Sequence, residues 1–282
     1  VCGSSVARSL AYNGSSADWM KFLTDLTPLV SFPLSLVITA AYVSSIFIGN
    51  WLMRDRQPFD SDSAAFKNAK LLYNLSQIVV CAIVFAALLP YFITAEHSYG
   101  IGIALNSDVE WWVFVYYCCK LLDFGDTLFM VLGKKQKQLS FLHVWHHGSI
   151  VPLFSFYLSS GIAGGSICTL PLLNSLVHVL MYSHYLITSV RKFKNMWWKP
   201  LITSSQMGHH AVLMVYMVLN VIYGSPGITF AVAAVGLLWG VSILGLFGKF
   251  YHDEYVQKKE KRVRSTESGK ESLTSKDSKK ES

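Results

Sequence analysis

Seven stretches of this chain are each close to twenty residues long and dominated by apolar side chains, and they constrain its fold more than any motif. They run over 29–53, 69–92, 109–132, 140–158, 168–190, 201–223 and 228–250. A helix needs about 20 residues to cross the hydrocarbon core of a bilayer. The expectation is an all-α polytopic membrane protein with seven transmembrane helices. Composition agrees, because only 15% of the 282 residues are charged, against about 25% in soluble proteins. The five cysteines form no CxxC pair and mostly lie in apolar segments, so neither a disulfide framework nor a zinc ribbon is expected.

The basic residues fall in alternate loops. Arg54, Arg56, Lys67 and Lys70 lie between the first two spans, Lys134, Lys135 and Lys137 after the third, and Arg191, Lys192, Lys194 and Lys199 after the fifth. Ten more follow from Lys249 onward, while 93–108, 159–167 and 224–227 hold none. The positive-inside rule makes the basic set cytosolic. An odd number of spans then puts the N-terminus in the lumen and the C-terminus in the cytosol. The net charge of +7 is thereby accounted for by topology, and no nucleic-acid partner is expected.

The chain divides into a lumenal N-terminal segment (1–28), a seven-helix membrane domain (29–251) and a basic cytosolic tail (252–282). The first segment mixes Ser, Gly and charge and does not read as a cleavable signal peptide. It carries a glycosylation sequon at Asn13-Gly14-Ser15. The tail is rich in charge and poor in apolar residues, hence disordered on composition. It ends Lys279-Lys280-Glu281-Ser282, which resembles the dilysine retrieval signal of the endoplasmic reticulum.

Ionisable residues inside a span cost roughly 2.5–3.5 kcal/mol on insertion scales, so each needs a partner or a purpose. The third span holds Lys120, Asp123, Asp126 and Thr127, whose offsets of 3, 6 and 7 put them on one helical stripe. A self-neutralising Lys120–Asp123 pair would explain two of them and leave Asp126 unexplained. The fourth span opens with "FLHVWHH", placing His143, His146 and His147 on one face. The fifth carries Asn174, His178, Met181, Tyr182 and Tyr185 on one face, with His184 off its centre. The sixth carries Thr203, Gln206, His209 and His210. Counting from the cytosolic ends at 1.5 Å per residue, Asp126, His146 and His184 lie ~9 Å deep, His209 ~12 Å and His178 ~18 Å. Four helices thus place polar groups in the cytosolic half, as for a buried site with a mouth ringed by basic loops.

Two chemistries suit clustered histidines. Membrane di-iron desaturases and hydroxylases use boxes of this kind, but need about eight imidazoles. This chain has nine, of which His97 and His252 lie outside the cluster, and only one HxxHH box. A single zinc remains compatible, since neutral imidazole is a good ligand. Without a metal, histidine acts as a general base or a nucleophile, and imidazole attack on a thioester gives an acyl-imidazole.

In combination and order, these motifs resemble the ELO family of very-long-chain fatty acid elongases. "KLLDFGDT" is similar to the family's KxxExxDT, with Asp123 at the usual Glu. "FLHVWHH" matches its HxxHH box, and "NSLVHVLMYSHY" its NxxVHxxMYxYY, with His184 at a usual Tyr. "TSSQMGHH" resembles TxxQxxQF, with His209 and His210 replacing Gln and Phe, and "YNLSQ" (73–77) resembles YNxxQ.

The resemblance implies seven helices, six of them around an acyl tunnel. It implies a 3-ketoacyl-CoA synthase that condenses acyl-CoA with malonyl-CoA and needs no metal or other cofactor. His146 would carry the acyl group and His178 would act in the malonyl step. His143, His147 and Asn174 would orient and polarise, supported by Lys120, Asp123, Asp126, Thr127, Tyr182 and Gln206. Lys134, Lys135, Lys137, Arg191, Lys192 and Lys194 could meet CoA phosphates. It also implies residence in the endoplasmic reticulum beside the ketoreductase, dehydratase and enoyl reductase of the elongation cycle, and admits a homodimer. Gln138, five residues before the box, resembles the branch acting on polyunsaturated chains. The rival readings are a di-iron desaturase or hydroxylase and a seven-helix receptor or transporter. A retinal-type receptor would want a lysine within the last span, and 228–248 has none.

Overall fold

A computed structural model describes residues 30–59, 63–97, 99–191, 193, 196–258 and 260. The expectations for the N-terminal segment and its sequon, for Lys192 and Lys194, and for the end of the tail lie outside the described residues.

The described chain is all-α: α1 (Phe32–Met53), α2 (Ala64–Ile93), α3 (Ser107–Leu122), α4 (Phe124–Leu132), α5 (Phe141–Ser159), α6 (Thr169–Val190), α7 (Lys199–Ile222) and α8 (Phe230–Tyr251). A 3₁₀ turn, Ser166–Cys168, leads into α6, and a π turn, His252–Val256, ends α8. The helices begin where the sequence offers caps. Ser63 accepts from the amide of Phe66, Ser140 from that of His143 and Thr229 from that of Val232. Asn106 accepts from Asp108 and Val109 at the head of α3. Each cap satisfies an amide left open by the first turn.

The third expected span is corrected: it is not one helix but two. It breaks at Asp123, which ends α3 and begins α4. Just beyond, Gly125 lets the Tyr73 ring come so close that a Cβ there would lie 2.8 Å from it. Among the described residues, four helical stretches are long and apolar enough to cross a membrane by length and composition, namely Phe32–Met53, Ala64–Ile93, Ser166–Val190 and Phe230–Val256. The remaining segments are those that carry much of the polar cluster. α3 and α4 are short and charged, α5 has 19 residues with three histidines, and α7 holds Gln206, His209 and His210.

Packing closes a ring. α2 lies along α6, α6 along α7, α7 along α8, α8 against α5, α5 against α3 and α3 against α2. α1 stays outside, against α5 and α4. Pro152 in α5 cannot donate to the carbonyl of Gly148 one turn back, and Thr39 of α1 donates to that carbonyl at 2.9 Å. At the far end the connecting loops are sewn together: Asn106 N–H donates to Gly164 O, Gly102 N–H to Ser225 Oγ and Ile103 N–H to Ser166 Oγ.

The distribution of side chains is inverted relative to a water-soluble bundle. Phe47, Trp51, Leu238 and Phe230 are exposed on the outside. Lys120, Asp123, Asn74, Gln77, Asn174 and His178 are buried inside. Lipid accepts such an exterior, whereas buried polar groups need partners of their own.

Candidate functional site

Five of the interior polar groups, Gln77, Lys120, Asp123, Asn174 and His178, form one connected network. Lys120, only 1% exposed, donates to Asp123 Oδ2 at 2.7 Å, to Asn174 Oδ1 at 3.2 Å and to His178 Nδ1 at 3.4 Å. Asp123 Oδ1 accepts from Gln77 Nε2 at 2.8 Å and from the Tyr182 hydroxyl at 3.2 Å. That hydroxyl also reaches Asp126 Oδ2 at 2.7 Å, which supplies the partner for Asp126 that an intrahelical Lys–Asp pair does not. Tyr116 donates to Asn174 Oδ1 at 2.8 Å. Buried ionic groups are stable only when their remaining hydrogen-bonding positions are met, and here α2, α3, α4 and α6 contribute together.

The histidine box lies beside this network. His143 Nε2 pairs with Thr127 Oγ1 at 2.8 Å, and Thr127 with the Tyr42 hydroxyl at 3.0 Å. The His143 and His147 rings are 4.3 Å apart, and His146 stands edge-on to His147 at 5.2 Å. The other flank of His146 faces His210 and Trp239, each at 6.0 Å. Trp239 is fixed by donating to Ser149 Oγ at 2.8 Å, and Trp145 donates to Ser242 at 3.0 Å. These two bonds tie α5 to α8, one from within the box and one just after it.

A cavity of about 570 Å³ unites the two groups. His143, His146, His147, Asn174, His178, Asp126 and Gln206 all line it, as do His184, His209 and His210. Its rim carries Lys70, Lys135, Lys137, Lys199 and Lys258, with Glu254 paired to the last two. Of the lysines expected at CoA, Lys135 and Lys137 line the cavity. Lys134 and Arg191 do not line the cavity: Lys134 turns away to donate to Arg54 O at 3.1 Å, and Arg191 lies over Phe193. Among the described residues, no three His, Cys, Asp or Glu side chains converge as metal ligands.

The ELO profile, described as the GNS1/SUR4 family, matches residues 27–263. The chain belongs to the ELO family. It is 32% identical over 230 residues to fatty acid elongase 5 of Leishmania major, spanning 82% of this chain and 88% of that one. It is 33% identical over 230 residues to fatty acid elongase 4 of Trypanosoma brucei brucei, spanning 82% and 87%. Very long chain fatty acid elongase 2 of Mus musculus is 31% identical over 241 residues, spanning 82% and 78%. As a member of this family the chain is a multi-pass membrane protein.

Several participants carried no assigned role in the sequence. From the ELO-like YNxxQ stretch, Gln77 donates to Asp123 Oδ1 and to the Tyr73 hydroxyl, and that hydroxyl donates to Leu122 O. Tyr116 lies one turn before Lys120, a spacing that hints at a shared face, yet a tyrosine in an aromatic-rich span carries little signal. Trp239 lies on α8, which none of the motifs reaches. Lys199 follows the fifth span together with the expected CoA ligands Arg191, Lys192 and Lys194, whereas Lys70 and Lys258 come from the first basic segment and the tail, and only the helix orientations show which lysines face the opening.

Proposed function

We infer that this cavity is where a fatty acyl-CoA and malonyl-CoA are condensed. As an ELO-family member, the chain is a fatty acid elongase with 3-ketoacyl-CoA synthase activity, releasing CO2 and CoA. The observation that carries the placement is the shared opening of the HxxHH face of α5 and the Asn174–His178 face of α6 onto one basic-rimmed cavity.

In this reading neutral His146 attacks the acyl thioester. The C–N bond forms, the C–S bond breaks, and CoA leaves as a thiolate that takes a proton from solvent. His143 and His147 pack the nucleophile on its own helix, and Trp239 and His210 wall its other side. Malonyl-CoA then loses CO2, and the electron pair of the broken C–C bond becomes an enolate. The enolate carbon attacks the acyl-imidazolium, forming the new C–C bond and expelling neutral His146. Developing negative charge on the thioester oxygen requires donors fixed in advance, the role given to His178 and Asn174. Lys135 and Lys137, joined by Lys70, Lys199 and Lys258, would meet CoA phosphates at the mouth. The acyl chain would enter the apolar interior of the six-span ring as its tunnel.

The finer assignments belong to the same proposal. The polyunsaturated preference rests on the sequence around the box and is supported by Gln138 lining the cavity. Lumenal N-terminus, cytosolic C-terminus and endoplasmic-reticulum residence rest on the basic-loop pattern and the Lys279-Lys280 ending. The other elongation-cycle enzymes would be neighbours there. Expression in yeast fed single fatty acids tests the reading. Products two carbons longer should appear, polyunsaturated substrates ahead of saturated ones, and His146→Ala should abolish them. Normal elongation by that variant would remove His146 from its role.

A further inference from the structure

Lys120 sits beneath the cavity floor with three ammonium protons and three acceptors around it: Asp123 Oδ2, Asn174 Oδ1 and His178 Nδ1. A lysine ammonium can only donate. The acceptor at His178 must therefore be an unprotonated Nδ1, which places the proton of the neutral ring on Nε2. His178 lines the cavity, and among the described residues no hydrogen bond occupies its Nε2. The same logic orients Asn174. Its Oδ1 takes protons from both Lys120 and Tyr116, so the Nδ2 side faces His209 Nε2 at 3.3 Å and donates to it.

Building on the condensation reading, we propose that Lys120 is a positioning residue that holds His178 in the Nε2–H tautomer. His178 then serves the malonyl step as a hydrogen-bond donor to the enolate oxygen, not as a base. The step needs no proton removed by His178. The C–CO2 bond breaks, its electron pair enters the enolate, and the Nε2–H bond persists while the oxygen gains charge. A base at this position would need a free lone pair on the cavity side, and the contact with Lys120 assigns the lone pair to the other nitrogen. The surrounding bonds keep the lock rigid. Gln77 and Tyr182 occupy Asp123 Oδ1, leaving Oδ2 to Lys120, and Tyr116 fixes Asn174.

The test separates the two half-reactions of the purified enzyme in detergent. CoA released from acyl-CoA alone, one per active site, reports acylation of His146. Labelled CO2 released from malonyl-CoA in the presence of acyl-CoA reports the second half. Lys120→Met should keep the CoA burst and lose CO2 release by about 10²-fold, the usual cost of one misplaced oxyanion donor. His178→Gln, which leaves the Lys120–Asp123 pair intact, offers an amide N–H but no base. It should retain at least about a tenth of CO2 release, while His178→Ala loses about 10²–10³-fold. Loss in His178→Gln as deep as in His178→Ala would overturn the donor role, whether or not Lys120→Met folds. A folded Lys120→Met enzyme with CO2 release near wild type, or one that loses both half-reactions, would overturn the positioning role. Absence of any CoA burst in the wild-type enzyme would instead refute the acyl-His146 reading, leaving the CO2 comparison still decisive for His178.

Discussion

Replacing Asp123 by Asn probes the buried network most directly. Both Asp123 oxygens accept: Oδ2 from Lys120 at 2.7 Å, Oδ1 from Gln77 at 2.8 Å and Tyr182 at 3.2 Å. Asparagine keeps one acceptor oxygen and turns the other position into a donor facing donors. It also strands an ammonium that is 1% exposed. Removing one partner of a buried pair typically costs about 3–5 kcal/mol. At about 2–4 °C per kcal/mol for chains of 150–250 residues, the unfolding midpoint should fall by on the order of 10 °C. Thermal unfolding of purified protein in one fixed detergent, followed by tryptophan fluorescence, would measure it. The Lys120→Met/Asp123→Leu double variant should be more stable than either single variant, because replacing a whole buried pair by apolar side chains is far less costly than breaking it. Asp123→Glu, the residue usual in the family, should keep most of the stability. A midpoint shift under about 2 °C for Asp123→Asn, or additive losses in the double variant, would refute the argument that the pair is energetically coupled.

Thr39→Val removes the donor that satisfies the Gly148 carbonyl and should cost about 0.6–1.7 kcal/mol, the range for interhelical hydrogen bonds in membranes, seen as a lowered midpoint in the same assay. Gly125→Ala drives a methyl to 2.8 Å from the Tyr73 ring. It should destabilise by about 1–3 kcal/mol and reduce elongation, whereas alanine at the open Gly245 should do neither. Alanine at Lys135 or Lys137 should raise the KM for acyl-CoA by up to roughly fivefold, from about 0.2–1 kcal/mol per exposed charge contact, and the effect should shrink as salt is added. Alanine at Lys134 or Arg191 should leave that KM unchanged.

The helices of the bundle were legible because hydropathy and cap residues both mark helices strongly. All seven expected stretches became helical, with Phe32–Met53 and Phe230–Tyr251 starting or ending within a few residues of expectation. The break at Asp123 was not legible, since no proline marks it and the offsets of Lys120, Asp123, Asp126 and Thr127 fit one continuous helix. The faces of α5 and α6 were legible as helical spacing, and the histidines of the box do meet Asn174 and His178 around one cavity. Their partners were not. Whether Asp126 meets a lysine or a tyrosine depends on how α4 lies against α6, which spacing within one helix does not encode. The rim is intermediate. Basic loops announced the side of the opening, but Lys134 adopts a positive φ of 51° after Gly133 and its side chain leaves the mouth.

The inverted distribution of side chains has a consequence for how this protein can evolve. In a bilayer the outward leucines and phenylalanines gain little from folding, because lipid receives them as well as a neighbouring helix would. Specific cohesion between helices then depends heavily on polar contacts, and here many of these belong to Lys120, Asp123, Asn174, Tyr182 and Gln77. The residues that organise the chemistry are thus also those that join the scaffold. Soluble enzymes often gain stability when active-site polarity is removed; in this bundle the same substitutions should loosen the fold. Adaptation to new substrates is therefore expected to proceed through the walls and rim of the cavity, while its floor stays under two constraints at once.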